Sequence, residues 1–150
     1  MIVTNGTDND LEQYFSFANL EMTIADNFEE LCKNDIYQIM CSCVKEEYEI
    51  ILQGTTKTKI TAWWDSAIDI IPADCDKGNG INKVLKYYGI SKDEAIAFGD
   101  GMNDIEMLES VGIGVAMENA KEEVKVRANT VCKSVEEDGV YYYCLENGLI

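Results

Sequence analysis

Phe98-Gly-Asp-Gly-Met-Asn-Asp104 holds two carboxylates, one carboxamide and two glycines within seven residues. The apolar run Glu94-Ala-Ile-Ala-Phe98 precedes it, and a helical stretch over residues 104–110 follows. Asp100 therefore stands at the carboxyl end of an expected buried strand. Asn103 and Asp104 fall in the first turn of the next helix. Oxygen donors crowded in this way suit a hard cation such as Mg²⁺. Gly99 and Gly101 let the backbone turn sharply and come close to a ligand. A plainer reading has Asn103 or Asp104 capping free amides at the helix start. The chain has no histidine. That excludes a Ser-His-Asp triad, a Cys-His dyad and a His-ligated metal built from these residues. Chemistry is left to carboxylates, Lys, Cys, hydroxyls and amides.

The elements that must position this segment follow from periodicity. Residues 78–88 place Ile81, Val84, Leu85 and Tyr88 at i, i+3, i+4 and i+7, an amphipathic helix ended by Gly89. Strands are expected at 94–98, 112–117 and 130–131, and helices at 104–110, 120–128 and 138–146. This alternation implies an α/β class with a parallel sheet covered on both faces. Ligands of such sheets collect at the carboxyl ends of the strands, here just after Phe98 and Met117. Residues 1–72 have a different texture. Helices are expected at 10–19, 28–34 and 45–52, the last capped by Gly54. Strands are expected at 36–44, 57–64 and 66–71, with Asp65 at the turn between the last two. Pro72, the only proline, closes that run. Trp63 and Trp64 read as packing residues with one ring exposed, or as a specificity element. Tyr141–Tyr143 reads as half core and half surface.

Composition sets further bounds. The chain of 150 residues is 47% hydrophobic and 27% charged, a globular composition. Lys and Arg number 12 against 28 Asp and Glu, a net charge of −16. Such a field repels nucleic-acid phosphates and anionic membrane surfaces, so neither is an expected partner. An anionic small substrate would need a local cation. The first residues carry neither a basic region nor a long apolar run, and no apolar run is membrane length, so a cytoplasmic location is expected. Six cysteines without a Cys-x-x-Cys pair read as reduced, mostly packed thiols.

Gly99-Asp100-Gly-Met-Asn103-Asp104 resembles the fourth motif of the haloacid dehalogenase superfamily, and Asp76-Lys77-Gly78 resembles the segment around its third-motif lysine. Gly114-Val-Ala-Met-Glu-Asn-Ala120 and Asp138-Gly139-Val140 are similar to the Cof-type group, subfamily IIB. The resemblance implies a small α+β cap domain over residues 1–72 and the carboxyl-terminal part of a Rossmann-like core over 73–150. It implies a Mg²⁺-dependent phosphatase of small phosphorylated metabolites, such as sugar phosphates, acting through an aspartyl-phosphate. By position, Lys77 would contact the phosphoryl group and the nucleophile, and is otherwise a solvated lysine. Asp100 would bind Mg²⁺, and Asp104 would contact it directly or through water. Asn103 would hydrogen-bond phosphoryl oxygens or position the metal's ligands. Asn119 would lie near the phosphate, or serve as a helix cap.

The family's nucleophile lies in an Asp-x-Asp-Gly-[Thr/Val] motif after an apolar strand. Asp8-Asn9-Asp10 has only the bare spacing, because Leu11-Glu12 follows. The chain is thus expected to be a carboxyl-terminal portion of a longer protein, inactive alone. Its open sheet edge would favour homo-oligomerisation or domain exchange. The competing expectation is a non-catalytic binding or assembly module.

Overall fold

Local signals in the sequence explain where most elements begin and stop. The computed structural model describes residues 2–62 and 66–150, and the chain divides into two units, Met1–Ala73 and Asp74–Ile150. In the first unit, β1 (Val3–Thr4) pairs in parallel with β2 (Thr23–Ile24). Between them runs α1 (Asn9–Phe17), capped by the Asp8 carboxylate, which accepts the Leu11 N–H at 2.8 Å. The helix ends before the expected residue 19, where Asn19 takes a positive φ of 51°. α2 (Phe28–Leu31) is a single turn of the longer helix expected there. β3 (Ile39–Ser42) precedes a short helical stretch ending in α3 (Tyr48–Ile51). β4 (Thr58–Thr61) and β5 (Ala67–Pro72) complete an antiparallel sheet of order β3-β5-β4. Tyr14, Phe15 and Ala67 form the core, joined by Leu11, Met22 and Met40, so α1 covers one face of this sheet. The Trp63–Trp64 pair and the Asp65 turn lie outside the described residues.

The second unit opens with α4 (Lys77–Tyr88). Asp76 caps it through the Asn79 N–H at 2.7 Å, and Gly89 at φ 68° ends it with its N–H on the last carbonyls. β6 (Ile96–Gly99), β7 (Ile113–Met117) and β8 (Thr130–Cys132) form a parallel sheet in that order. Between them lie α5 (Ile105–Glu109) and α6 (Glu122–Lys125), and α7 (Gly139–Glu146) follows. The two sheet faces differ in size. Register pairs Ala97 with Gly114 and Gly99 with Ala116, so one face is a stripe of small residues. Leu108, Val111, Ala120 and Val124 pack on that stripe. The opposite face carries Ile96, Phe98, Val115, Met117 and Cys132, with Tyr143 of α7 against Phe98 at 5.4 Å between ring centroids. Tyr141 and Tyr142 are exposed.

α6 is shorter than the helix expected over 120–128. Asn129 explains the stop: its N–H donates to the Gly114 carbonyl at 2.8 Å and its side-chain oxygen accepts the Gly114 N–H at 2.7 Å. The chain is drawn onto β7 there and enters β8. Among the described residues, no helix is long and apolar enough to cross a membrane. All six cysteines are free thiols, but only Cys43 and Cys132 are buried, and Cys32 and Cys75 are exposed rather than packed as expected.

Candidate functional site

β6 ends at Gly99, and the chain turns through Asp100 and Gly101 into a short 3-10 turn, Met102–Asp104. The Asp104 carboxylate holds that turn. Its Oδ2 accepts the N–H of Asp100 at 3.1 Å and of Gly101 at 3.0 Å. Gly101 is the N-cap of the turn, so its bond is the helix-start capping that the plainer reading expects, while the Asp100 amide lies one residue earlier, in the loop. Asp104 is only 6% exposed, so its lone pairs must be met inside the protein. The close approach also accounts for both glycines. A Cβ on Gly99 would lie 2.6 Å from Asp104 Cβ, and one on Gly101 would run into Asn103 Oδ1.

The other oxygen of Asp104, Oδ1, pairs with Lys77 Nζ. Lys77 is the first residue of α4, and its side chain stays 50% exposed. Gly78 lets α4 approach α5 closely, since a Cβ there would meet the Glu106 backbone and come within 2.7 Å of Ser110 Oγ. That approach sets Lys77 over the loop. On the far side, Asn119 Nδ2 donates to Asp100 Oδ2 at 2.8 Å. Asp100 Oδ1 and the Asn103 carboxamide make no hydrogen bond among the described residues.

Four expected site residues thus form one connected chain: Lys77 to Asp104, Asp104 to the Asp100 backbone, and the Asp100 side chain to Asn119. Asn103 sits beside it, against Gly101. Asn119, expected near a phosphate or as a helix cap, has its amide on Asp100. That contact was hidden in the sequence, because it depends on β6 and β7 ending side by side. Among the described residues, no three acidic or cysteine side chains cluster as a metal cage. What the site offers is a loop carboxylate with one uncommitted oxygen, next to a partly exposed ammonium and a carboxamide.

Asp8 has a different task. It caps α1 and also accepts the Ser42 hydroxyl at 2.9 Å. The Leu11 amide, and then the Ser42 hydroxyl, hold its carboxyl below the usual range. It lies four residues past the end of β1, with Asp10 in the first turn of α1.

Comparison with known proteins places these observations. A family model of haloacid dehalogenase-like hydrolases matches residues 1–144. The 5-amino-6-(5-phospho-D-ribitylamino)uracil phosphatase YitU of Bacillus subtilis is 46% identical over 79 residues, which is 53% of this chain and 29% of that protein. Among solved structures, the subclass IIB sugar phosphatase BT4131 superposes with a TM-score of 0.86 at 30% identity, over 96% of this chain and 56% of that one. The phosphatase BT1666 from Bacteroides thetaiotaomicron superposes with a TM-score of 0.84 at 28% identity, over 99% of this chain and 56% of that one. The chain spans little more than half the length of these two solved relatives.

Proposed function

The chain belongs to the haloacid dehalogenase-like hydrolases, and from that premise we propose that Asp74–Ile150 is the metal- and phosphate-positioning part of a phosphatase. Its substrates would be small phosphorylated metabolites of the sugar-phosphate kind. The unit would be the carboxyl-terminal part of the Rossmann-like core, and Met1–Ala73 a small α+β cap that selects the substrate. The observation that carries this reading is the linked set Lys77, Asp104, Asp100 and Asn119 at the carboxyl ends of β6 and β7. Phosphatase relatives of similar fold support it.

The donor set fits Mg²⁺. That ion is commonly held by one or two carboxylates, with water and phosphate oxygens completing the shell. Asp100 would supply a direct oxygen through Oδ1. Asp104 has both oxygens engaged, so it would reach the ion only through water while holding the loop. Bound Mg²⁺ would offset the charge that develops on a phosphoryl group during transfer. Lys77 would direct its ammonium at a phosphoryl oxygen, its orientation set by Asp104. Asn103 would donate its uncommitted carboxamide to the same group. Together they supply the local cation that a chain of net charge −16 needs to attract an anion.

The nucleophile is a separate matter. No Asp-x-Asp-Gly occurs in these residues, and Asp8 is committed as a cap. The aspartyl-phosphate step therefore needs an aspartate this chain does not carry, and the chain alone does not turn over. Six free thiols fit a reducing compartment such as the cytoplasm. Phosphorus NMR of orthophosphate, with p-nitrophenyl phosphate hydrolysis beside it, tests the reading. Mg²⁺-dependent phosphate binding without turnover is expected, lost in Lys77→Ala and Asp100→Ala. Hydrolysis abolished by Asp100→Ala would show a nucleophile within the chain. Absence of Mg²⁺-dependent binding would overturn the site. The missing motif also favours a second reading, a non-catalytic binding or assembly module. β6 has no described strand on its outer edge, which fits self-association. A concentration-independent monomer in sedimentation would remove self-assembly from that reading.

A further inference from the structure

The two aspartates of the loop are given different partners. Asp104 receives an ammonium and two backbone amides. Asp100 receives one neutral carboxamide on Oδ2, from Asn119 at 2.8 Å. Both ends of this second contact are pinned. β6 and β7 run in parallel register with Gly99 opposite Ala116, so the residues just beyond them adjoin. The turn carrying Asn119 is closed by the Ala120 N–H on the Met117 carbonyl at 3.0 Å, and Ala120 is buried. The backbone of Asp100 is held by its own N–H on Asp104.

We infer that Asn119 is a positioning residue that orients the Asp100 carboxylate for a divalent cation, an inference that rests on the metal reading above. The terminal torsion of an aspartate is broad and nearly two-fold, so an unheld carboxylate samples many directions. A donor on Oδ2 removes that freedom and leaves Oδ1 without a hydrogen bond among the described residues. The chemistry of the donor matters as much. A lysine here would cancel the charge that attracts a cation, as Lys77 does for Asp104. A carboxamide fixes the direction and leaves the negative charge intact. Outer-shell partners of this kind typically contribute about 10–100-fold in metal affinity.

Mn²⁺ serves as the probe, with the free ion followed by electron paramagnetic resonance on the full 150-residue chain. Asn119→Ala should weaken Mn²⁺ binding by about 10-fold with no shift in thermal melting. Asn119→Gln keeps the donor and should recover most of the affinity, while Asp100→Asn should abolish binding. Wild-type affinity in Asn119→Ala, with binding lost in Asp100→Asn, would overturn the inference and leave the metal reading standing. No Mn²⁺ binding by the wild-type chain would overturn both. Should Asn119→Ala melt earlier, Asn119→Gln decides: wild-type affinity supports the role, and alanine-like affinity overturns it.

Discussion

At the scale of single residues, the division of labour between the two aspartates turns on burial. Asp104 is almost fully enclosed, with both oxygens bonded. Asp104→Ala would strip the acceptor from two loop amides and from Lys77. Lys77 is half exposed and would recover water, so its share is small. The amides would not recover fully, and the expected loss is about 2–3 kcal/mol of stability in urea unfolding. An unchanged midpoint would mean that the loop is held by other contacts. The identities of Lys77, Asp100, Asn103, Asp104 and Asn119 as candidates were legible from motif order alone. Their mutual bonds were not, because which oxygen meets which amide depends on how strand ends adjoin. Asp8 shows the converse: its spacing with Asp10 suggests chemistry, and its hydrogen bonds to Leu11 and Ser42 make it a cap.

Elements with strong local signals matched their expected extents. α4 carries an apolar stripe, an aspartate at its start and a glycine in the left-handed region at its end, and all three agree. Elements without such signals were harder to see. β1 and β2 are two residues each, too short for any periodicity to register. The helix expected over 120–128 was cut to four residues by Asn129 pairing with Gly114, a tertiary contact. A contrast of two glycines tests how α5 seats on the sheet. A Cβ on Gly114 would strike the Leu108 backbone, whereas one on Gly80, inside α4, would meet nothing within 4 Å. Gly114→Ala should cost about 1–3 kcal/mol. Gly80→Ala should gain about 0.5–1 kcal/mol. Thermal denaturation of both variants reads the difference, and equal effects would contradict the close seating of α5.

For the whole molecule, the two units have separate cores, one under α1 and one around the parallel sheet. Both carry an excess of acid, 13 Asp and Glu against 4 Lys in the first and 15 against 8 Lys and Arg in the second. A net charge of −16 repels itself in the folded state more than in an expanded chain. At about 0.1 M salt the Debye length falls to roughly 10 Å, which screens most of that repulsion. Raising sodium chloride from low ionic strength to about 0.3 M should therefore stabilise the fold by about 1 kcal/mol, a rise of roughly 2–4 °C in melting temperature. A fall in melting temperature would show that favourable ion pairs, such as Arg127 with Glu109, outweigh the repulsion.

The stripe of small residues on β6 and β7 also bears on inheritance. Every single-base change in a glycine codon that alters the residue adds a side chain. Gly99 and Gly114 have no space for one, against the Asp104 side chain in one case and the Leu108 backbone in the other. Neither position therefore has a one-step neighbour that fits. Change at either glycine requires a second, compensating change in the loop or in α5, so these two positions would vary in pairs or not at all.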